Sequence, residues 1–253
     1  MKNILLSNDD GIDTVGIKVL RDYFENEYNV FIVAPDRERS ATGHSITLHD
    51  PIRLRVVEND RVFAVDGTPV DAVHIALLGI IKERIDFVIT GINNGLNLGA
   101  DVFYSGTVSA AFQASVFGIP GIAVSIDNRG GSTNYETAAF FAKILIKKIE
   151  ETDFDTDIIL NLNVPNLKIE DIKGVEITRL GKRLYDDKLI EREDPKKKKY
   201  YWIEGEHTRD ILEDGSDVKA LNEGKVSITP LRLDMTALDY IGTLKRWDFQ
   251  LLK

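Results

Sequence analysis

The stretch Ile4-Leu5-Leu6-Ser7-Asn8-Asp9-Asp10-Gly11 decides the fold predicted for this chain. Its apolar half is typical of a strand buried on both faces, and two adjacent carboxylates and a glycine follow. Neighbouring side chains of a regular strand point to opposite faces, so Asp9 and Asp10 converge only if the chain turns there, which Gly11 permits. Two ionised carboxylates held close together favour a hard divalent cation between them. The alternative is an ordinary loop whose aspartate caps the next helix.

Strands and helices alternate from this stretch onward. A helix with apolar positions at Ile17, Leu20 and Phe24 follows the opening strand, and Val30 to Ala34 is a second continuous apolar run. Further apolar runs of strand length lie at 87–89, 122–126 and 158–163. The sequence therefore predicts an α/β fold with a doubly wound, mainly parallel, Rossmann-like sheet.

The character of the chain changes after about residue 175. Strand-like segments at 176–178 and 226–229 flank an excursion that contains Lys196 to Lys199. Because no linker separates independent units, we expect a single domain over 1–253. It would consist of a Rossmann-like core at 1–174 and a β-rich C-terminal extension at 175–253, whose strands have no evident partner in the parallel sheet.

Composition narrows the classes of partner. A net charge of −9 and a pI near 5.1 argue against a stable nucleic-acid partner. The chain has no cysteine, which excludes thiolate metal sites and thiol nucleophiles. No apolar run is long enough to cross a membrane, and the opening strand leaves no room for a signal peptide. We expect a cytoplasmic protein without a membrane partner.

Several polar motifs follow the predicted strands. Ser40 lies in a polar loop after the second strand, Asn93 and Asn97 lie in a glycine-rich segment, and Ser105-Gly106-Thr107 opens a helix. Since the carboxyl ends of parallel strands meet at one edge of the sheet, these motifs are expected to lie near Asp9 and Asp10. A helix N-terminus favours an anion, although Ser105 is equally consistent with ordinary N-capping. Together they predict a metal that holds a phosphate.

These motifs, taken in order, resemble the stationary-phase survival protein (SurE) nucleotidases. The common P-loop and dinucleotide-binding fingerprints do not occur. The words that carry the resemblance are Ser7-Asn8-Asp9-Asp10-Gly11, Ala34-Pro35-Asp36-Arg37-Glu38-Arg39-Ser40, Gly67-Thr68-Pro69, Gly91-Ile92-Asn93, Asn97-Leu98-Gly99, Tyr104-Ser105-Gly106-Thr107-Val108, Gly181-Lys182-Arg183, Tyr201-Trp202-Ile203 and Val226-Ser227-Ile228-Thr229-Pro230-Leu231. They extend over nearly the whole chain. One departure is Gln113-Ala114, where the family usually has Glu-Gly; it concerns packing or specificity more than the chemistry.

The resemblance implies a function and a set of site residues. It implies hydrolysis of nucleoside 5′-monophosphates to nucleoside and phosphate, with the 3′-monophosphates as an open second class of substrate. The implied ligands of one divalent ion per subunit, Mg²⁺ or Mn²⁺ by their oxygen chemistry, are Asp9, Asp10, Ser40 and Asn93. The implied phosphate-binding residues are Asn97, Ser105, Gly106 and Thr107. Asp9 and Asp10 are the catalytic candidates, with Asp9 as water-orienting group, base or nucleophile.

The resemblance also implies a homodimer or homotetramer in which the C-terminal extension is exchanged between subunits.

Two functions other than catalysis stay open for the predicted site. A metal-dependent module that senses nucleotide or phosphate without hydrolysis would use the same site. A receiver-like switch would need an acceptor aspartate after the strand at 87–89, where Thr90-Gly91 stands instead. We further expect Lys196 to Lys199 to lie on a flap near the site, where they would attract an anionic substrate.

Overall fold

The computed structural model of the chain describes residues 1–129, 132–247 and 249 and, for residues 206–208, the backbone alone. The strands are β1 (Asn3–Ser7), β2 (Asn29–Pro35), β3 (Leu54–Glu58), β4 (Val62–Val65), β5 (Phe87–Asn94), β6 (Gly121–Ile126), β7 (Ile158–Val164), β8 (Val175–Ile177), β9 (Lys182–Glu193), β10 (Lys199–Ile211) and β11 (Val226–Arg232). The α-helices are α1 (Val15–Phe24), α2 (Pro69–Ile75), α3 (Gly106–Val116), α4 (Tyr135–Glu150), α5 (Asp217–Asn222) and α6 (Leu238–Leu244). A π-helical segment follows α2 at Ala76–Ile80, and short 3₁₀ turns lie at Gly99–Phe103 and Ile169–Asp171.

Nine strands form one sheet in the order β3-β4-β2-β1-β5-β6-β7-β11-β8. The six neighbouring strands β4, β2, β1, β5, β6 and β7 run parallel, as the alternation of strands and helices predicts. Successive side chains of β1 enter different cores: Ile4 and Leu6 pack with α1 and α4, whereas Leu5 packs with α2 and α3. Helices therefore cover both faces, and the α/β, doubly wound fold is confirmed.

The expectation that the C-terminal strands lack a partner in this sheet is wrong for two of them. Strand β11 pairs antiparallel with β7, and β8 pairs parallel with β11, so both extend the main sheet beyond its parallel part. The prediction failed because an alternating segment such as Val226 to Thr229 indicates a strand but not its partner, and β11 pairs with a strand far away in the sequence. Only β9 and β10 stand apart, as a separate two-stranded sheet.

Strand β5 is longer than its apolar run indicates. It continues through an irregularity between Thr90 and Asn93 and ends at Asn94, rather than giving way to a loop after residue 89. Gly91 makes this course possible: its φ is +131°, and a Cβ there would lie 2.2 Å from the carbonyl oxygen of Val124. The extra residues carry Asn93 and Asn94 to the carboxyl edge of the sheet, beside the end of β1.

Residues 130 and 131, which precede α4, and the last residues of the C-terminal extension lie outside the described part of the chain. Among the helices that are described, none combines the length and the apolar character that crossing a bilayer requires.

Candidate active site

The turn after β1 is built by Asn8 and Gly11. The Asn8 side chain donates to the carbonyl oxygen of Gly11 at 2.8 Å and accepts from its N–H at 3.2 Å. Gly11 has a φ of +107°, and a Cβ there would lie 3.1 Å from the backbone of Arg37. The turn directs Asp9 and Asp10 into one cleft. Neither aspartate caps α1, since Thr14 occupies that position.

The two carboxylates sit in a poorly solvated, negatively charged environment. Asp9 is only 4% exposed, and burial raises its pKa to about 6; the nearby charge of Asp10 adds to the rise, while a hydrogen bond from Thr107 opposes it. Burial also raises the pKa of Asp10, against the effect of the Asn94 N–H, which donates to its Oδ2 at 3.2 Å. The charge of Glu38 raises it further. A bound cation would relieve this repulsion.

Helix α3 begins directly beside Asp9. Ser105 is its N-cap, and the Ser105 Oγ accepts from the N–H of Val108 at 3.1 Å, which leaves the hydroxyl hydrogen to donate elsewhere. A Cβ on Gly106 would lie 2.8 Å from the Asp9 Cβ, so only glycine allows this approach. Thr107 is fully buried and donates its hydroxyl to Asp9 Oδ1 at 2.5 Å. The hydroxyl and the backbone N–H of Thr107 both act on the Asp9 carboxylate, so the N–H of Gly106 is the backbone group of this turn that remains for an anion.

Ser40 is carried by a loop that is tied to the site on both sides. The Arg39 N–H donates to the carbonyl oxygen of Asp9 at 2.7 Å, and the Gly43 N–H donates to that of Tyr104 at 3.0 Å. The Ser40 hydroxyl donates to Glu38 Oε1 at 2.8 Å. Because that bond uses the hydroxyl hydrogen, the lone pairs of Ser40 Oγ are available to a cation.

Asn93 and Asn97 reach the same cleft from β5 and the loop that follows it. Asn93 Nδ2 donates to the carbonyl oxygen of Gly95 at 2.7 Å, which leaves its Oδ1 as a candidate ligand. Asn97 is 7% exposed, and its Nδ2 donates to Ser125 Oγ at 2.8 Å. An amide nitrogen carries two hydrogens, so a second donor remains at Asn97.

These residues line one cleft of about 690 Å³. Six predicted site residues border it, namely Asp9, Asp10, Ser40, Asn93, Asn97 and Ser105. Gly106 and Thr107 lie behind Ser105, in the first turn of α3. No cluster of three or more carboxylate, histidine or cysteine side chains suited to a metal occurs in the described part of the chain. A cation here would thus depend on two carboxylates together with neutral oxygens from Ser40 and Asn93.

Comparisons with known proteins identify the family of the chain. The model of the family Survival protein SurE matches residues 4–187. The chain belongs to the SurE family. The 5′-nucleotidase SurE of Geobacter metallireducens is 44% identical over 246 residues, 97% of this chain and 97% of that protein. The protein of the same name from Carboxydothermus hydrogenoformans is 46% identical over 256 residues, 96% of this chain and 95% of that protein. The crystal structure of the SurE protein from Aquifex aeolicus is similar at a TM-score of 0.84 and 40% identity, and covers 96% of this chain and 98% of that one.

Membership of the SurE family confirms the resemblance, but the cleft also contains residues that the sequence did not single out. Glu38 stands beside Asp10, and a cluster of Asp101, Arg183 and Tyr185 forms the outer wall. Arg183 contacts Asp101 at 2.6 Å, and the Tyr185 hydroxyl donates to the same carboxylate at 2.7 Å. Glu38 and Arg183 lie in sequence motifs that carry the resemblance to the family, and these motifs could have identified them. Asp101 and Tyr185 lie outside those motifs, so nothing in the sequence pointed to them.

Gln113, where this chain departs from the usual SurE pattern, lies in the packing rather than in the cleft. It is 5% exposed and links two histidines: its Oε1 is 3.0 Å from His44 Nε2, and its Nε2 is 2.8 Å from His74 Nδ1. His44 belongs to the loop that carries Ser40, and His74 belongs to α2. His74 is half-buried, and its polar ring atom is paired with Gln113.

The flap expected near the site exists as the β9–β10 hairpin, but its lysines are remote from this chain's own cleft. Arg183, Tyr185, Asp187 and Ile203 border the cleft, and they lie in the part of the hairpin away from its turn. Strands rise roughly 3.3 Å per residue, so the turn that holds Lys196 to Lys199 is roughly 20 Å farther along β9 from Asp187. The steering role expected of these lysines therefore has no support within one chain.

Proposed function

We propose that this chain is a 5′-nucleotidase, which hydrolyses nucleoside monophosphates to nucleoside and phosphate. The observation that carries the proposal is the contact between Asp9 and the N-terminus of α3. A carboxylate whose pKa is raised to about 6 lies against a helix start that offers the free N–H of Gly106 and the Ser105 hydroxyl, in an open cleft. A nucleophile-activating group and an anion cradle are what phosphate ester hydrolysis requires side by side.

The residues around Asp9 fit a divalent cation. Two buried carboxylates raise each other's free energy when ionised, and the neighbouring donors are oxygens that Mg²⁺ and Mn²⁺ prefer. We infer that Asp9, Asp10, Ser40 and Asn93 would hold one such ion per subunit. When bound, the ion supplies polarisation of a phosphoryl oxygen and a lowered pKa of coordinated water.

The chain's own residues define the course of the reaction. Asp9 Oδ1 is occupied by the Thr107 hydroxyl, whereas Oδ2 lies toward Gly106, where a Cβ would be 3.0 Å from it. Oδ2 is thus the atom that faces a phosphate seated on α3, and we assign it the proton of the attacking water. Asp9 as direct nucleophile is the competing mechanism. The stereochemistry at a chiral phosphate separates the two, because direct attack by water inverts the configuration at phosphorus, whereas a phosphoaspartate intermediate retains it.

The phosphate itself would be held by neutral donors. The hydroxyl hydrogen of Ser105, the N–H of Gly106 and the second amide hydrogen of Asn97 remain for this purpose, whereas the N–H of Thr107 is directed to Asp9. They lie at the positive end of the α3 dipole, which stabilises the charge on the equatorial oxygens.

Phosphate release from a panel of nucleoside 5′- and 3′-monophosphates tests the proposal. We expect release in the presence of Mg²⁺ or Mn²⁺, its loss on chelation, and its recovery when the ion is returned. Binding of monophosphates without release by the metal-loaded protein would instead identify a sensing module. A hydrolysis rate unaffected by chelation would contradict the assignment of the ion.

We also propose that the chain forms a single domain that assembles as a homodimer or homotetramer, with its C-terminal extension exchanged between subunits. The support is the β9–β10 hairpin, which is paired with no other strand in the described part of the chain and exposes several large apolar side chains. An isolated hairpin is at best marginally stable in water. The cytoplasmic location stays a prediction from the sequence.

A further inference from the structure

Two asparagines occupy core positions of a central strand. Asn161 and Asn163 lie on β7 between β6 and β11, and neither has any exposed surface. They are two residues apart, so their side chains point to the same face of the sheet. Burial of a primary amide is unfavourable unless its polar atoms are paired, and apolar residues are the rule at such positions. Their partners therefore indicate what the two residues do.

Both asparagines bind the backbone of Asn97. Asn163 Oδ1 accepts from the N–H of Asn97 at 2.8 Å. The Nδ2 atoms of Asn161 and Asn163 both donate to the carbonyl oxygen of Asn97, at 2.9 and 3.1 Å. Side chains from one strand thus satisfy both polar groups of a single residue in an irregular loop. Ser125 on β6 adds a third point of attachment by accepting from Asn97 Nδ2.

The attachment fixes the direction of the one free donor on Asn97. The residue follows Gly95, whose φ of +154° marks an extended, glycine-dependent course, and precedes the 3₁₀ turn at Gly99–Phe103. Asn97 lies in no helix or strand, so no ladder of backbone hydrogen bonds holds it. Without the two asparagines, its amide could rotate away from the cleft that it borders with Ser105.

We propose that Asn161 and Asn163 are positioning residues, which hold Asn97 so that its second amide hydrogen faces the phosphate. This inference rests on the phosphate-binding role proposed above for Asn97. Neither residue borders the cleft, so each acts through Asn97 alone. The role explains why a strand buried on both faces contains two amides where aliphatic side chains would pack with less cost.

The test is a double-mutant cycle on phosphate affinity. Inorganic phosphate is titrated into the Mg²⁺-loaded protein by calorimetry, for the wild type, Asn97→Ala, Asn163→Leu and the double variant. Asn163→Leu keeps the volume and removes both hydrogen bonds. We expect each single variant to bind phosphate about ten- to a hundred-fold more weakly. The double variant should be no weaker than Asn97→Ala, because coupled residues are not additive.

Two further variants separate positioning from general stability. Asn161→Leu removes only one of the two donors on the Asn97 carbonyl, so its loss of affinity should be smaller than that of Asn163→Leu. Thr229→Val removes a buried hydroxyl opposite Asn161 on β11, where it pairs with Thr178 and not with Asn97. It should lower the melting temperature and leave phosphate affinity unchanged.

Calorimetry measures phosphate binding without turnover. The positioning role and the nucleotidase proposal can therefore fail independently of each other. Absence of hydrolysis by the wild type would overturn the nucleotidase alone, and the phosphate titration would still measure positioning. Additive losses in the double variant, or equal losses in Thr229→Val and Asn163→Leu, would overturn the positioning role. Unchanged phosphate affinity in Asn97→Ala would overturn it as well, since nothing would then remain to be positioned.

Discussion

Asp9 and Asp10 differ in what each carboxylate touches, and their substitutions should differ accordingly. Asp10→Asn retains an oxygen for the Asn94 N–H but removes a charge that would hold the cation. We expect kcat to fall by roughly 10²–10³, with partial recovery at high Mg²⁺ concentration. Asp9→Asn should lose more activity without recovery, because the proposed base is gone. Steady-state phosphate release across a Mg²⁺ titration measures both variants.

Asp13→Asn is the matched control, since Asp13 is an exposed aspartate of the same segment and should keep wild-type turnover. The opposing view is that the acidic pair only shapes the turn after β1. That view predicts near-wild-type turnover in both variants and a melting temperature lowered by the loss of turn contacts. Such a result would refute the roles assigned here.

The raised pKa of Asp9 makes the stability of the metal-free protein depend on pH. The pKa is about 6 in the folded chain against 3.8 for an unperturbed carboxyl. Below about pH 4 the Asp9 carboxyl is protonated in the folded and in the unfolded chain, so it does not lower the free energy of unfolding. Between about pH 4 and pH 6 the carboxyl ionises in the unfolded chain but stays protonated in the folded one, so stability falls by on the order of 3 kcal/mol and levels off above pH 6.

Urea unfolding of the metal-free protein and of Asp9→Asn at pH 4.5 and pH 7.5 checks this dependence. The difference between the two proteins should grow toward pH 7.5, with the variant the more stable of the two. Asp10 titrates in the same direction in both proteins and therefore largely cancels in the comparison. A difference that does not change with pH would contradict the raised pKa.

At the scale of elements, α3 is joined to its neighbours through Gln113. Its amide offers one acceptor to His44 and one donor to His74, and thereby connects the Ser40 loop to α2. Gln113→Leu removes both contacts and leaves polar ring atoms without a partner. We expect the free energy of unfolding to fall by about 1–3 kcal/mol. The Mg²⁺ concentration for half-maximal activity should rise, because the loop that carries Ser40 is less well held.

Gln113→Glu is the control, because it keeps the length of the side chain and accepts from either histidine. It should be closer to the wild type than Gln113→Leu in urea unfolding at pH 6. If the two variants were equally destabilised, volume and charge rather than the hydrogen bonds would account for the effect. Wild-type stability in Gln113→Leu would show that the link contributes nothing.

The elements that were predictable are those with a strong local pattern. Ile4, Leu5 and Leu6 marked β1 because a strand covered on both faces must be apolar throughout. The segment Thr68-Pro69-Val70-Asp71 has the residue types of a capped helix start, and α2 begins there with a capping box. The end of β5 was misplaced because Gly91 interrupts the apolar run while the strand continues. A glycine-dependent irregularity has no signature that separates it from a loop.

The site was predictable as far as chain order determines which strand ends lie together. Asp9, Ser40, Asn93 and Ser105 were expected at one edge, and they border one cleft. The contact of Thr107 with Asp9 was not predictable, because it joins residues 98 positions apart through a side-chain rotamer. The same holds for Asn161 and Asn163, which carry no motif; their only signal was two amides on one face of an apolar strand.

At the scale of the whole molecule, the C-terminal extension is only partly a separate unit. Strands β8 and β11 complete the main sheet, and the buried Asp217 of α5 accepts from the N–H groups of Gly99 and Gly181. These contacts fix one wall of the cleft to the Rossmann-like core. Antiparallel pairing of β11 with β7 was missed because the alternation of Val226 to Thr229 indicates a strand without indicating which strand it pairs with.

The exposed apolar surface of the β9–β10 hairpin leads to the last prediction. Leu189 is 68% exposed and Trp202 is 61% exposed, on strands that pair only with each other within the described part of the chain. Exposed apolar patches of this kind mark protein contacts, so we expect a homodimer or homotetramer at micromolar concentration. The double variant Leu189→Glu/Trp202→Glu should shift the protein toward the monomer, as measured by light scattering after size-exclusion chromatography. Leu78→Glu is the control, because Leu78 is 65% exposed but lies beyond α2, outside the hairpin. A wild-type protein that remains monomeric, or dissociation by Leu78→Glu alone, would refute assembly through the hairpin.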